Sequence, residues 1–519
     1  MPHVSSYSVK GKKAWYSGRQ MNRNPPNQLD HPQEVLTIKV KIGFGICDLG
    51  GNLFFTVMGF YLLYYLTDTV GLTAHLSGVA LMIGKIWDAV TDPVVGDLSD
   101  RTRSPWGRRK PWMTLGAFLL MGGMLFLFRK PSWETPWVLF AWATFAYCLV
   151  NTAYTFVSIP YGALTPELTS DYHEQSRLNG YRQVFAIMGT FLGAGIVLPL
   201  VKLPGDPVQG WFLTGGVLGS IMLVSALLTV ILVGKEKVPN RRSGPPGKEG
   251  RLAKGVNPGE ESLGGKGSAA GKVGLAGDEG PGQGFFGQVG ELLHQRTFLL
   301  VLLPWTLHIS GVTLLQNAMV YYFEYIYRDK GAFQIALMIL LSFALLCIPL
   351  WIRVSRRAGK REVYNLGMLI FAATVMAFFF FGHRVGIKGA YILMIPAGIG
   401  FSVQYAMPFA ILPDVVEWDL AEHGKRREGI YYGLWTFASK VGQSIAFLLS
   451  GWVLAVFGYI PLASNQPPLA LVGIRLLAGI LPAILFLLGV MIHRRYPLDQ
   501  ATYRQIEAKI RGKEKESPP

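Results

Sequence analysis

Long apolar blocks separated by short polar stretches run through the chain. Residues 54–66, 115–128, 140–150, 218–233, 335–351, 367–381 and 476–492 carry no charged side chain. Each extends to roughly 20 residues, the length of helix that crosses about 30 Å of hydrocarbon at 1.5 Å per residue. The pattern predicts twelve membrane-spanning helices, near 42–67, 75–98, 110–129, 137–160, 178–203, 210–234, 297–323, 332–352, 363–382, 388–413, 429–459 and 470–493. The stretch between the sixth and seventh differs: 241–284 is rich in Gly, Pro, Lys and Glu and nearly free of aromatics, a composition that cannot bury a core. The expected layout is therefore a tail (1–40), a first six-helix bundle (41–234), a Gly-rich linker (235–296), a second six-helix bundle (297–495) and a second tail (496–519).

Composition agrees with that reading. Half of the residues are hydrophobic and only 16% are charged, against about 25% in a soluble domain, and the mean hydropathy is +0.32. The net charge of +17 invites a nucleic-acid reading, but the basic residues lie between apolar blocks and form no aromatic-interleaved soluble patch, so no nucleic-acid partner is expected. Arg101, Arg103, Arg108, Arg109 and Lys110 follow the second span, and Arg353, Arg356, Arg357, Lys360 and Arg361 follow the eighth. The positive-inside rule then places these loops, the linker and both termini in the cytoplasm. The first 40 residues hold no apolar core of a signal peptide, and Cys47, Cys148 and Cys347 lie in apolar blocks without disulfide or metal spacing.

The halves repeat one another. The fourth span ends on Pro160-Tyr-Gly-Ala-Leu-Thr-Pro166-Glu167 and the tenth on Pro408-Phe-Ala-Ile-Leu-Pro413-Asp414, and the basic loops fall at matching places. Parallel repeats imply a substrate site between the bundles near the bilayer midplane. The four prolines are expected to bend the helices or end them.

Ionisable groups inside the spans mark the chemistry, since each costs at least about 2.5–3.5 kcal/mol at the bilayer centre. Lys85, Asp88 and Asp92 share one face of the second span, and Asp48 and Asn52 are four apart in the first. Arg182 lies in the fifth span and Lys440 near the middle of the eleventh. Paired carboxylates can hold Na⁺ through hard oxygen ligands or share a proton, and Lys440 can keep the site neutral without a cation. A packing-only salt-bridge cluster is the competing reading. Asp97, Arg101, Arg108 and Arg109 close the second span, as a helix cap and topology signal or as a charge latch. Tyr154, Tyr161, Tyr405 and Trp435 are rings that either stack a substrate or pack. No Gly-x-Ser-x-Gly, paired His/Asp metal set or phosphate loop is present, so no enzyme and no cofactor are expected.

Gly43-Phe-Gly45, Tyr64-Tyr-Leu-Thr-Asp68 and Ile86-Trp-Asp88-Ala-Val-Thr-Asp92-Pro93 resemble the glycoside-pentoside-hexuronide:cation symporter family, the melibiose permease-like members of the major facilitator superfamily. The resemblance continues through Thr102-Arg-Ser-Pro-Trp-Gly107, Lys110-Pro-Trp112, Ile159-Pro160, Tyr321-Tyr-Phe323 and Lys440. It implies an all-α membrane fold of twelve helices in two pseudo-symmetric bundles, with sugar or glycoside symport coupled to H⁺ or Na⁺ by alternating access. It puts the cation at Asp88 and Asp92 with Lys440 beside them, Asp48 partly substituting for a missing acid, and any Na⁺ as the sole metal. It puts the substrate at Arg182, with Asn52, Ser158 and Tyr405 at matching positions, and the rings of Tyr154 and Trp435 complete the candidate substrate set. Asn52 and Ser158 stand where the resemblance places sugar-binding carboxylates, Gly162 where it places a ring-stacking Trp, and Tyr405 in place of a second Trp. These departures leave a second reading open, a carrier of lysophospholipid or another amphiphile on the same fold. The remaining expectations are a monomer in the lipid bilayer of a bacterial inner (plasma) membrane, with a small-molecule substrate.

Overall fold

The structure, a computed structural model, describes residues 36–169, 171–233, 285–424 and 427–497. The tails up to 35 and from 498, and the linker core 241–284, lie outside the described residues. Among the described residues, ten helical stretches are long and apolar enough to cross a membrane. One of them, Lys360–His423, is two spans, because Gly386 has non-helical angles (φ 66°, ψ −172°) and breaks it. A further helix, Ala74–Arg101, is as long but carries the buried charges. The twelve spans are α1 (Ile38–Phe60), α2 (Ala74–Arg101), α3 (Lys110–Leu127), α4 (Pro136–Leu168), α5 (Tyr172–Lys202), α6 (Pro207–Leu232), α7 (Arg296–Ile326), α8 (Lys330–Ala358), α9 (Lys360–Ala377), α10 (His383–His423), α11 (Glu428–Val456) and α12 (Pro468–His493).

The packing is pseudo-symmetric. In the first bundle α1 packs on α5 and α6, α2 on α4, and α3 on α4 and α6; in the second α7 packs on α11 and α12, α8 on α10, and α9 on α10 and α12. Every one of these neighbours in one bundle has its counterpart six spans later. The bundles meet through α2 against α11, α5 against α8, and α1 against α7. They approach closely at Gly78 and Gly451, where a Cβ on Gly451 would fall 2.4 Å from the Ala74 carbonyl oxygen. Small residues let the two backbones touch there.

Two details go beyond the reading of the sequence. The prolines do not end their helices: α4 runs through Pro160 and Pro166 to Leu168, and α10 through Pro408 and Pro413 to His423. Packing against neighbouring helices tolerates the lost backbone bonds. The linker expected over 235–296 also contains a helix, Phe285–His294, whose Leu292 is buried with Phe298 and Tyr431. Its apolar residues recur at helical spacing, so it can bury one face, which the Gly-rich stretch before it cannot.

The internal repeat seen in the sequence reappears as matching ion pairs. Glu167, after Pro166, holds Arg108 (2.9 Å) and Arg109 (3.3 Å) from the loop after α2. Asp414, after Pro413, holds Lys360 (2.7 Å), the first residue of α9 after the turn that follows α8. Each acid ties basic residues at the turn after the second helix of its own bundle to the fourth helix of that bundle.

Candidate functional site

α2 carries its charges on the face that α11 covers. Lys85, Asp88 and Asp92 sit one turn apart, and Pro93 removes a backbone donor directly after Asp92. From the other bundle Lys440 reaches across, with its Nζ 2.5 Å from Asp92 Oδ2, 2.9 Å from Asp88 Oδ2 and donating to the Asp88 carbonyl oxygen at 3.2 Å. Lys85 Nζ lies 3.1 Å from the same Asp88 oxygen, and Phe55 lies 5.6 Å from that ammonium. The Thr155 hydroxyl of α4 lies 3.2 Å from Asp88 Oδ1 and 3.2 Å from Asp92 Oδ1. Side-chain exposure is 4% for Asp88, 17% for Asp92 and 13% for Lys440. Two acids and two lysines make the cluster neutral, which is what allows four charges to persist out of water. Their unequal roles follow from geometry: Lys85 is tied to Asp88 within α2, whereas Lys440 bridges two bundles.

Asp48, grouped by sequence with the cation carboxylates, is placed elsewhere. Its Oδ2 accepts from Arg182 Nε at 2.6 Å and from the Tyr161 hydroxyl at 2.8 Å, and Arg182 lies over the Tyr161 ring at 4.9 Å. Arg182 and Asp48 therefore form their own pair between α5 and α1. A small cavity is lined by Asp48, Tyr161, Tyr154 and Ser158, and Tyr154 is stacked on Phe54 at 4.5 Å. Asn52 donates to the Asp48 carbonyl oxygen at 3.0 Å, holding its amide along α1. At Gly162 a Cβ would meet nothing within 4 Å, so the position opens on free space. These residues all come from the first bundle.

Trp435 and Tyr405 are contributed by the second. Trp435 is buried, stacked on Trp305 at 5.1 Å, and its indole nitrogen has no hydrogen-bond partner among the described residues. Trp305 in turn donates to Ser439, one residue from Lys440. Tyr405 is exposed, with only the edge of Phe401 beside it among the ring contacts. Among the expected gating residues, Asp97 and Arg101 pair with each other at 2.9 Å on the exposed end of α2, and Arg108 and Arg109 pair with Glu167. Past the Lys440 cluster toward that end, Val94, Asp97, Leu98 and Arg101 of α2 are exposed. At the opposite end side chains bond across the bundles: Thr67 to Tyr321 at 2.7 Å, Lys330 to the Tyr64 hydroxyl at 2.7 Å and Asp68 to Tyr459 at 2.6 Å. The molecule is thus sealed at the end of the α1–α2 and α7–α8 turns.

Sequence reasoning missed Thr155 and Glu167. A lone threonine in an apolar helix gives no signal; Glu167 was visible in the repeated Pro-acid motif, but its partners were not. Asp68 stood in a quoted motif without a role.

Residues 43–254 and 278–500 match the family described as MFS/sugar transport protein. An uncharacterized symporter of Synechocystis is 31% identical over 93% of this chain and 98% of its own length. A putative glycoside/cation symporter of Escherichia coli is 25% identical over 92% and 95%, and a sodium-dependent lysophosphatidylcholine symporter of Gallus gallus 23% identical over 89% and 86%. Among solved structures, a bacterial homologue of the human lysosomal transporter Spinster, crystallised inward-facing, superposes with a TM-score of 0.61 over 91% of this chain and 97% of that one, at 13% identity. With two pseudo-symmetric six-helix bundles and a sequence match across both, this chain is an integral membrane transporter that belongs to the MFS/sugar transport protein family of the major facilitator superfamily.

Proposed function

We propose that the chain is a cation-coupled symporter of a sugar or glycoside, working by alternating access. One observation carries this reading: Lys440 of one bundle occupies the space between two carboxylates of the other, at 2.5 and 2.9 Å. A coupling cation that takes those carboxylates must displace Lys440, and so loosens a link between the bundles. Asp88, Asp92 and Thr155 supply oxygens suited to Na⁺, and Asp92 alone suits a proton. Lys440 is the resident counter-charge that keeps the cation-free carrier neutral and able to reorient. Cation and substrate favour the same state, so each raises the affinity of the other by the same factor.

The substrate site lies between the bundles beside Arg182, Asp48, Asn52, Tyr154, Ser158, Tyr405 and Trp435. Arg182 and Asp48 are donor and acceptor for hydroxyl groups, the unpartnered Trp435 nitrogen is a further donor, and Tyr405 offers a ring. Asp97, Arg101, Arg108 and Arg109 form the gate that closes the cytoplasmic end. Both termini lie in the cytoplasm, and the carrier is a monomer in a bacterial plasma membrane. The lysophosphatidylcholine-transporting relative favours one second reading, a carrier of lysophospholipid or another amphiphile, which needs the same cation site but an apolar path for the chain.

The test is purified protein in vesicles with labelled glycosides, pentoses, uronates and lysolipids under imposed Na⁺ or H⁺ gradients. Concentrative uptake of a glycoside under one gradient is expected. Uptake of lysolipid alone selects the second reading, and uptake indifferent to both gradients rules out coupling.

A further inference from the structure

The sealed end contains a polar group that the cation and substrate sites do not use. Asp68 follows α1 in a wide turn, Leu66–Val70, of five residues with i to i+5 bonding, and Tyr322–Ile326 at the end of α7 is the same kind of turn. Such turns are rare and concentrate at functional positions. Here they occupy pseudo-equivalent places, one in each bundle, facing each other.

The carboxylate of Asp68 collects donors from both bundles. The Tyr459 hydroxyl, just after α11, lies 2.6 Å from each of its oxygens, and the Tyr325 hydroxyl from the α7 turn donates to Oδ1. Its own neighbour Thr67 donates to Oδ2 at 2.5 Å, and Tyr321 meets that threonine hydroxyl at 2.7 Å. Alongside, Lys330 from the start of α8 donates to the Tyr64 hydroxyl at 2.7 Å, sits 4.2 Å from that ring's centroid and reaches Glu324 at 3.5 Å. Thr67, Tyr321 and Tyr459 are buried, while Asp68, Tyr64, Tyr325 and Lys330 line a vestibule of about 560 Å³.

We propose that Asp68 is a gating residue, the carboxylate acceptor on the first bundle on which the Tyr325 and Tyr459 hydroxyls of the second converge to hold this end shut. The inference rests on the alternating-access reading. A carboxylate is the right group because hydrogen bonds to an ionised acceptor are about twice as strong as neutral ones. The donors sit on α7 and after α11, so opening this end must break these bonds together, and the vestibule supplies the water that replaces them. The contact therefore stabilises the sealed state and contributes nothing to the opposite one. Removing the carboxylate shifts the balance of states rather than the cation or substrate site.

The experiment uses the full chain with Cys47, Cys148 and Cys347 replaced by Ala and spin labels on Glu134→Cys and Arg384→Cys, exposed positions on the sealed end of the first and second bundle. Pulsed electron resonance in lipid nanodiscs, without substrate or added cation, reads the distance distribution. Asp68→Ala is expected to raise the ratio of the long-distance to the short-distance population by about tenfold or more, the scale of losing charge-assisted bonds. Asp68→Glu is expected to restore part of the short population, and Tyr459→Phe to give a smaller shift of the same sign. Should Asp68→Ala fail to insert, the Tyr325→Phe/Tyr459→Phe pair removes only the two hydroxyls and decides the matter alone. A distribution unchanged in these variants, even with a lowered melting temperature, overturns the proposal. Because no ion or substrate enters the measurement, that result leaves the symport reading standing, whereas failed gradient-driven uptake strikes symport without touching the gate.

Discussion

Replacing Asp92 by Asn removes one negative charge from a neutral four-charge cluster while keeping its shape. Asp88, Lys85 and Lys440 then leave the site at +1, with Lys440 Nζ 2.9 Å from the one remaining acid. A cation entering such a site meets an unbalanced ammonium about 4 Å away. At an effective dielectric of about 20 that repulsion is roughly 4 kcal/mol, equivalent to about a thousandfold in affinity. Stability falls less, by up to about 3 kcal/mol, because Lys440 keeps Asp88 as a partner. The assay pairs gradient-driven uptake in vesicles with a direct cation titration, normalised to protein in the membrane. Gradient-driven uptake is expected to vanish while downhill exchange of substrate persists. A second variant separates function from packing. Asp92→Asn/Lys440→Gln restores neutrality, so it is expected to recover the melting temperature but not the coupling. Full gradient-driven uptake by either variant would refute the assignment of Asp92 and leave the cluster a packing device.

Three further outcomes follow from the same geometry. Thr155→Val removes a hydroxyl 3.2 Å from both carboxylates and is expected to weaken cation binding by roughly tenfold or more at nearly unchanged stability, read by calorimetric titration. Asp48→Asn breaks the 2.6 Å bond to Arg182, so substrate affinity is expected to fall while cation affinity measured without substrate stays within about twofold; a parallel loss of cation affinity would return Asp48 to the cation site. Gly451→Ala puts a methyl 2.4 Å from the Ala74 carbonyl oxygen, and is expected to cost about 1–3 kcal/mol and several degrees of melting temperature; an unshifted melt would show that α2 and α11 do not rely on that contact.

How far the chain could be read from its sequence depended on the range of the physics involved. Span number and length follow from the cost of leaving backbone groups unpaired in hydrocarbon, a constraint that acts along each segment. The acids at 88 and 92 stood out because a charge in an apolar run is expensive wherever the helix packs. The repeat between Pro166-Glu167 and Pro413-Asp414 was likewise visible along the chain. Partners across the bundles were legible only where charge balance and the resemblance named them, as for Lys440, since a partner is chosen by the approach of distant helices. Lys440 lies 348 residues from Asp92, and nothing local says that it inserts between two carboxylates while Asp48 turns to Arg182. The same holds for Asp68, whose tyrosine donors come from elements 257 and 391 residues away. That the prolines do not end their helices was hidden for the same reason, because whether a helix survives a lost backbone bond is decided by the helices packed around it. The sequence by itself determined what had to be buried and what could not be; the tertiary structure decided which charge neutralises which, because neutrality in a low dielectric is a property of the assembled cluster and not of any one residue.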